Sequence, residues 1–118
     1  MVELVDEIIQ TYKPDGFNFD YCRYPQSMAA RYAGYTASNW GYTKYAREQF
    51  QYEYGVDPAS LSFGTKNWYE WDNYRRDNIT QFIQKVSKLC RQNKILITAV
   101  VFPNKNMALE TKQQDWVT

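Results

Sequence analysis

The stretch Tyr12–Pro25, YKPDGFNFDYCRYP, decides how this chain is read. Pro14, Asp15 and Gly16 stop whatever precedes them and turn the chain. GFNFDY then reads as a strand at about 16–21, ended by Arg23, Tyr24 and Pro25. Along a strand the side chains alternate, so Phe17 and Phe19 point one way and Asn18 and Asp20 the other. The phenylalanines belong against covering helices. A polar pair on the opposite side, at the carboxyl end of a parallel strand, is where barrel enzymes place their working groups.

A second strand lies at 95–102, ILITAVVF. Such a near-continuous β-branched run suits a parallel strand covered on both faces. Between and around the strands the spacing predicts helices. Val2, Leu4, Val5, Ile8, Ile9 and Tyr12 recur at helical steps over 2–12. Residues 42–54 form a helix with Gly55 as its carboxyl cap, and GVDPAS turns the chain, with Pro58 near the start of a short helical piece. The clearest helix runs from about 68 to 92. Ile79, Phe82, Ile83, Val86, Leu89 and Cys90 make its apolar stripe, and Arg75, Arg76, Gln81, Lys85, Lys88 and Arg91 populate the rest. Residues 26–41, with Gly34, Gly41 and several Ser and Thr, read as a long loop. Residues 107–117 are a weak helical or loop segment.

Alternation of helix and strand argues an α/β fold with parallel strands and crossover helices. Two parallel strands alone leave open edges and one uncovered face. Either the 118 residues are an excised portion of a larger domain, or the sheet is covered by another copy, with self-association through the exposed strand edges. A whole α/β barrel needs about 250 residues.

Fourteen basic and thirteen acidic residues leave a net charge of +1. That balance offers no electrostatic reason for nucleic acid or an anionic membrane as partner. No apolar stretch approaches the length that spans a bilayer. Met1 to Gln10, with Glu3, Asp6 and Glu7, lack the pattern of a signal peptide. Cys22 and Cys90 fit no metal spacing and read as free, half-buried thiols. There is no histidine, which removes Ser-His and Cys-His triads and most zinc sites. No glycine-rich phosphate loop is present, and no cofactor or metal is expected. Carboxylate chemistry remains.

Asp20 is the candidate catalytic carboxyl; alternatively it caps the loop or pairs with Arg23. Arg23 could hold Asp20 ionised or bind substrate hydroxyls, or only fix the loop as a salt-bridge partner. Tyr24 could stack on a sugar or anchor the loop. Aromatic residues make up 18% of the chain, eleven Tyr and four Trp among them, and sugar faces stack on such rings. Trp40, in a Gly/Ser/Asn-rich loop, is a candidate platform, whereas Trp71 reads as core. Asn104, just past the second strand, could donate to substrate or cap a turn. Glycoside hydrolysis usually takes two carboxyl groups. Asp15 lies at the wrong end of its strand, Glu70, Asp72 and Asp77 are on or near a helix, and Glu110 and Asp115 are at no strand tip. The second carboxylate is expected outside this chain.

The run containing Asp15, Gly16, Asp20, Arg23, Tyr24 and Pro25 resembles the glycosyl hydrolase-like 10 family of bacterial barrel proteins. The Gly-hydrophobic-Asp-Pro turn (Gly55 to Pro58), the Trp- and Arg-rich helix start (Trp71, Arg75, Arg76), the VFPN ending (Val101 to Asn104) and the QDW of Gln114 to Trp116 are similar too. The resemblance covers essentially the whole chain. It implies that residues 1–118 are the middle portion of a (β/α)8 TIM barrel, with strands missing on both sides. It implies a glycoside hydrolase acting on a polysaccharide, with bacterial cell-wall glycan as substrate, secreted or in the cell envelope. Asp20 would be catalytic, with Asn18, Arg23, Tyr24, Trp40 and Asn104 binding substrate. Asn18 stands where the family usually has a histidine, which puts the role of that histidine in doubt here. The rival class is a non-catalytic carbohydrate-binding or scaffolding module built on the aromatic loop.

Overall fold

A computed structural model describes residues 1–25 and 40–116, the side chain of Glu110 excepted. The elements are α1 (Val2–Tyr12), β1 (Gly16–Phe19), α2 (Lys44–Tyr54), a 3-10 turn (Pro58–Ser60), α3 (Lys66–Gln92), β2 (Leu96–Ala99) and α4 (Lys105–Lys112). The strands are parallel, pairing Gly16 with Leu96, Phe17 with Ile97, Asn18 with Thr98 and Phe19 with Ala99. The chain is thus an α/β arrangement of helices around two parallel strands. The long loop expected over 26–41 falls largely on residues outside those described.

One face of the sheet is covered as the alternation requires. Val5 and Ile9 of α1, Val86 and Cys90 of α3 and Ile95 form a buried cluster, and Phe17, Phe19, Phe82, Leu89 and Ile97 pack against it. Phe19 and Phe82 meet edge to face at 5.8 Å, a favoured geometry for aromatic pairs. On the other face Asn18 and Thr98 are exposed, and Leu96 keeps 69% of its surface in solvent. Among the described residues, that face is uncovered.

Both strands are shorter than the sequence pattern predicts. Tyr21 takes a left-handed φ of 54°, which an extended strand cannot hold, so β1 stops before it. Val100 still donates to the Phe19 carbonyl at 2.8 Å. Beyond that, side-chain bonds described below take over the backbone of β2. At the other end Gly16 packs closely against β2: a Cβ there would sit 3.2 Å from the Leu96 carbonyl oxygen.

The stripe of α3 is longer than its aliphatic half suggests. Trp68, Trp71, Asp72 and Arg75 are buried on it ahead of Val86 and Cys90. The expectation grouped Arg75 with the residues off the stripe; instead it is fully buried, 0% exposed. The reason is its partners. Arg75 donates to Asp72 at 2.8 Å and to the Trp40 carbonyl at 3.0 Å. Its guanidinium also lies over the rings of Trp71 and Tyr42 at 5.5 and 5.8 Å. Trp71 is core, as expected, and receives Phe50 of α2 edge-on at 5.1 Å.

Local signals explain the helix ends. The side chains of Thr43 and Thr65 accept from the backbone amides of Ala46 and Trp68, capping α2 and α3. Gly55 closes α2 with a φ of 76°, as its place in the sequence predicts. The two cysteines are free, Cys90 buried and Cys22 half-buried. Among the described residues, no helix is long and apolar enough to cross a membrane.

Candidate active site at the carboxyl ends of the strands

Because Phe17 and Phe19 are drawn into the core, Asn18 emerges on the open face. Its Oδ1 accepts from the Thr98 hydroxyl at 2.9 Å, tying the middle of β1 to β2. Asp20 is exposed one residue beyond β1. Its Oδ1 accepts from the Tyr21 backbone N–H at 2.8 Å, a local bond of the capping kind that also supports the left-handed turn at Tyr21.

Asp20, Tyr21, Arg23, Val100, Val101, Phe102 and Pro103 line a cleft of about 290 Å³. Among the described residues, Asp20 supplies the one carboxylate in that lining. Among the described residues no ion pair joins Asp20 to Arg23. The Arg23 guanidinium lies instead over the Tyr21 ring at 4.7 Å and over Phe102 at 5.6 Å. Lys112, only 4% exposed, places its ammonium 5.1 Å from the Phe102 ring centre. Burial first, and then the charge of Arg23, lower the pKa of that amine.

The other expected binding residues lie outside this lining. Tyr24 is half-buried. Its N–H donates to the Lys112 carbonyl at 3.0 Å, and its ring lies 6.0 Å from the Arg75 guanidinium. A Cβ on Gly41 would come within 2.8 Å of that ring. Burial raises the pKa of the phenol. These are the contacts of an anchor. Trp40 is 52% exposed, with its carbonyl held by Arg75. Asn104 accepts from the Met107 N–H at 3.0 Å and caps α4.

Sequence reasoning missed two features. The first is the side chain of Gln114, which accepts from the Phe102 N–H at 2.8 Å and donates to the carbonyls of Val100 (3.3 Å) and Cys22 (3.5 Å). One amide thus bridges the ends of both strands beside the cleft. The second is the carboxylate of Asp72, buried on α3. It accepts from Arg75, from Arg76 and, at 3.0 Å, from Gln113, and Arg76 reaches the Leu109 carbonyl at 3.3 Å. The QDW and Trp/Arg stretches held these residues, but not the roles that folding gives them.

A larger cleft, about 420 Å³, runs beside β2 and is lined by Ile79, Ile83, Ala99, Val101 and Trp116 among others. Its apolar walls suit covering by another element more than bond cleavage. Among the described residues no group of three or more Cys, Asp or Glu side chains could hold a metal ion.

What the strand-end cleft can do chemically is limited but specific. It presents one accessible carboxyl, a guanidinium on an aromatic bed and an open polar strand face, with no histidine, thiolate or phosphate loop. No curated protein and no solved structure matches the chain. The model of one family, glycosyl hydrolase-like 10, matches residues 1–118, the whole of the sequence, and the chain belongs to that family.

Proposed function

We propose that the chain is part of a (β/α)8 barrel domain of a glycoside hydrolase that cleaves O-glycosidic bonds of a polysaccharide, and that Asp20 is one of its catalytic carboxyl groups. The observation that carries this reading is the position of Asp20: exposed, past the carboxyl end of a parallel strand, in a cleft shared with Arg23. Barrel enzymes work at that end of their strands. The uncovered face bearing Asn18 and Thr98 is the side that would line the barrel interior once further strands close the sheet. The second carboxyl comes from one of those strands, facing Asp20 across the scissile bond. Asn18 and Arg23 border the substrate, with Trp40 and Asn104 further out. The substrate is a bacterial cell-wall glycan, met in the envelope or outside the cell.

The test is hydrolysis of peptidoglycan and of simple β-glycans by the full-length protein and its Asp20→Asn variant. Removal of a general acid or base lowers kcat by about 10²–10⁴-fold. Activity within a few-fold of wild type removes Asp20 from catalysis. The lone carboxylate in the cleft favours a second reading, a carbohydrate-binding module without catalysis. In that case sugar titration followed by Trp fluorescence responds equally in wild type and Asp20→Asn, and is lost in Trp40→Ala.

A further inference from the structure

We propose that Arg23 is the receptor for a carboxylate carried by the glycan next to Asp20, so that the substrate of this cleft is an acidic sugar chain. This rests on the glycoside hydrolase reading of the same cleft and narrows it to a substrate class.

A guanidinium offers two kinds of surface, its π faces and its N–H edge. In Arg23 the rings of Tyr21 and Phe102 occupy the π surface. The in-plane N–H edge, the fork that matches a carboxylate, makes no hydrogen bond or ion pair among the described residues. Asp20, the one carboxylate of the lining, does not take that edge and directs Oδ1 to the Tyr21 amide instead. Nor do residues 26–39 offer an anion, since that stretch contains neither Asp nor Glu. An arginine held on rings in a half-buried site, with its fork unused among the described residues, is organised for an anion that arrives from outside.

The surroundings point the same way. Lys112 brings a second positive charge to the Phe102 ring, and its pKa is lowered partly by the charge of Arg23. Both positive groups lie against the Phe102 ring, so a substrate carboxylate at Arg23 meets an attraction that a neutral sugar does not.

The test uses the full-length protein in an Asp20→Asn background, so that binding is read without turnover. Calorimetry compares a hexuronic-acid oligosaccharide with its carboxyl-reduced counterpart. A parallel pair compares a β-linked N-acetylhexosamine oligosaccharide bearing lactyl-ether carboxylates with the same chain lacking them. A charged hydrogen bond of this kind corresponds to about 10–100-fold in affinity. The carboxylate form of one pair is expected to bind tighter by that factor, and the pair that responds identifies the carboxylate's source. Arg23→Gln is expected to bring the ratio near one. Equal binding within both pairs overturns the proposal, as does a preference that survives Arg23→Gln. If Arg23→Gln does not fold, the ratio in the Arg23-containing protein alone decides. Because no arm measures hydrolysis, a failure here is separate from a failure of Asp20 as a catalytic group.

Discussion

Asp72 carries the heaviest electrostatic duty of any residue on α3. Its carboxylate meets two guanidinium groups and the Gln113 amide, with the Arg75 side chain wholly inside. Removing one partner of a buried pair leaves the other charge without compensation, at about 3–5 kcal/mol. Asp72→Ala should therefore lower unfolding free energy by about that much in urea titration, a large part of a small domain's stability. A double variant, Asp72→Leu with Arg75→Met, should recover most of the loss. If Asp72→Ala costs under about 1 kcal/mol, the network is not a stabilising centre. This network was hidden in the sequence for a physical reason. Two opposite charges three apart on a helix look like an ordinary surface pair. The partners that make the site buried, Trp40 and Gln113, lie 35 and 41 positions away. The side of Asn18 was legible by contrast, because strand alternation is local: it follows once Phe17 and Phe19 are assigned to the core.

At the scale of elements, the turn joining α2 to the 3-10 segment is held by charge. Arg47 Nε donates to Asp57 Oδ1 at 3.0 Å, a second guanidinium nitrogen reaches Oδ2, and the same carboxylate accepts from the Ala59 N–H. The Arg47 bond first, and the Ala59 amide next, hold the Asp57 carboxyl at about 2 against an ordinary 3.8. A carboxyl with a depressed folded-state pKa favours folding above its unfolded value and loses that contribution as pH falls through the folded one. Stability from this corner should thus be complete above about pH 4 and disappear toward pH 2. Asp57→Asn should be less stable at neutral pH and show a shallower acid dependence over that window in circular dichroism; identical acid profiles would exclude the role. The corner itself was readable: Gly55 ends the helix and Asp57 and Pro58 restart it, all from short-range preferences. Strand lengths were not readable, since Tyr21 fits a strand by composition and only its left-handed φ shows that the chain has turned.

For the whole molecule the open side of the sheet dominates. Leu96 is exposed on it, and the apolar cleft beside β2 is walled by Ile79, Ile83 and Val101. Isolated two-strand sheets are poor independent structures, and uncovered edges invite pairing. The 118-residue chain alone should associate with rising concentration in size-exclusion chromatography with light scattering, and Leu96→Lys should weaken that association. A folded monomer throughout the micromolar range would contradict it. The alternation of helix and strand foretold the uncovered face, yet not which side chains knit the strand ends. That bond network depends on Gln114, which follows both strands in the chain and has no local pattern to announce it. The order has a consequence for how the molecule is completed. Beyond the Val100–Phe19 backbone bond, the tips that carry Asp20 and Phe102 are tied together by a residue that comes later in the chain than either strand, so one amide group braces the cleft from behind.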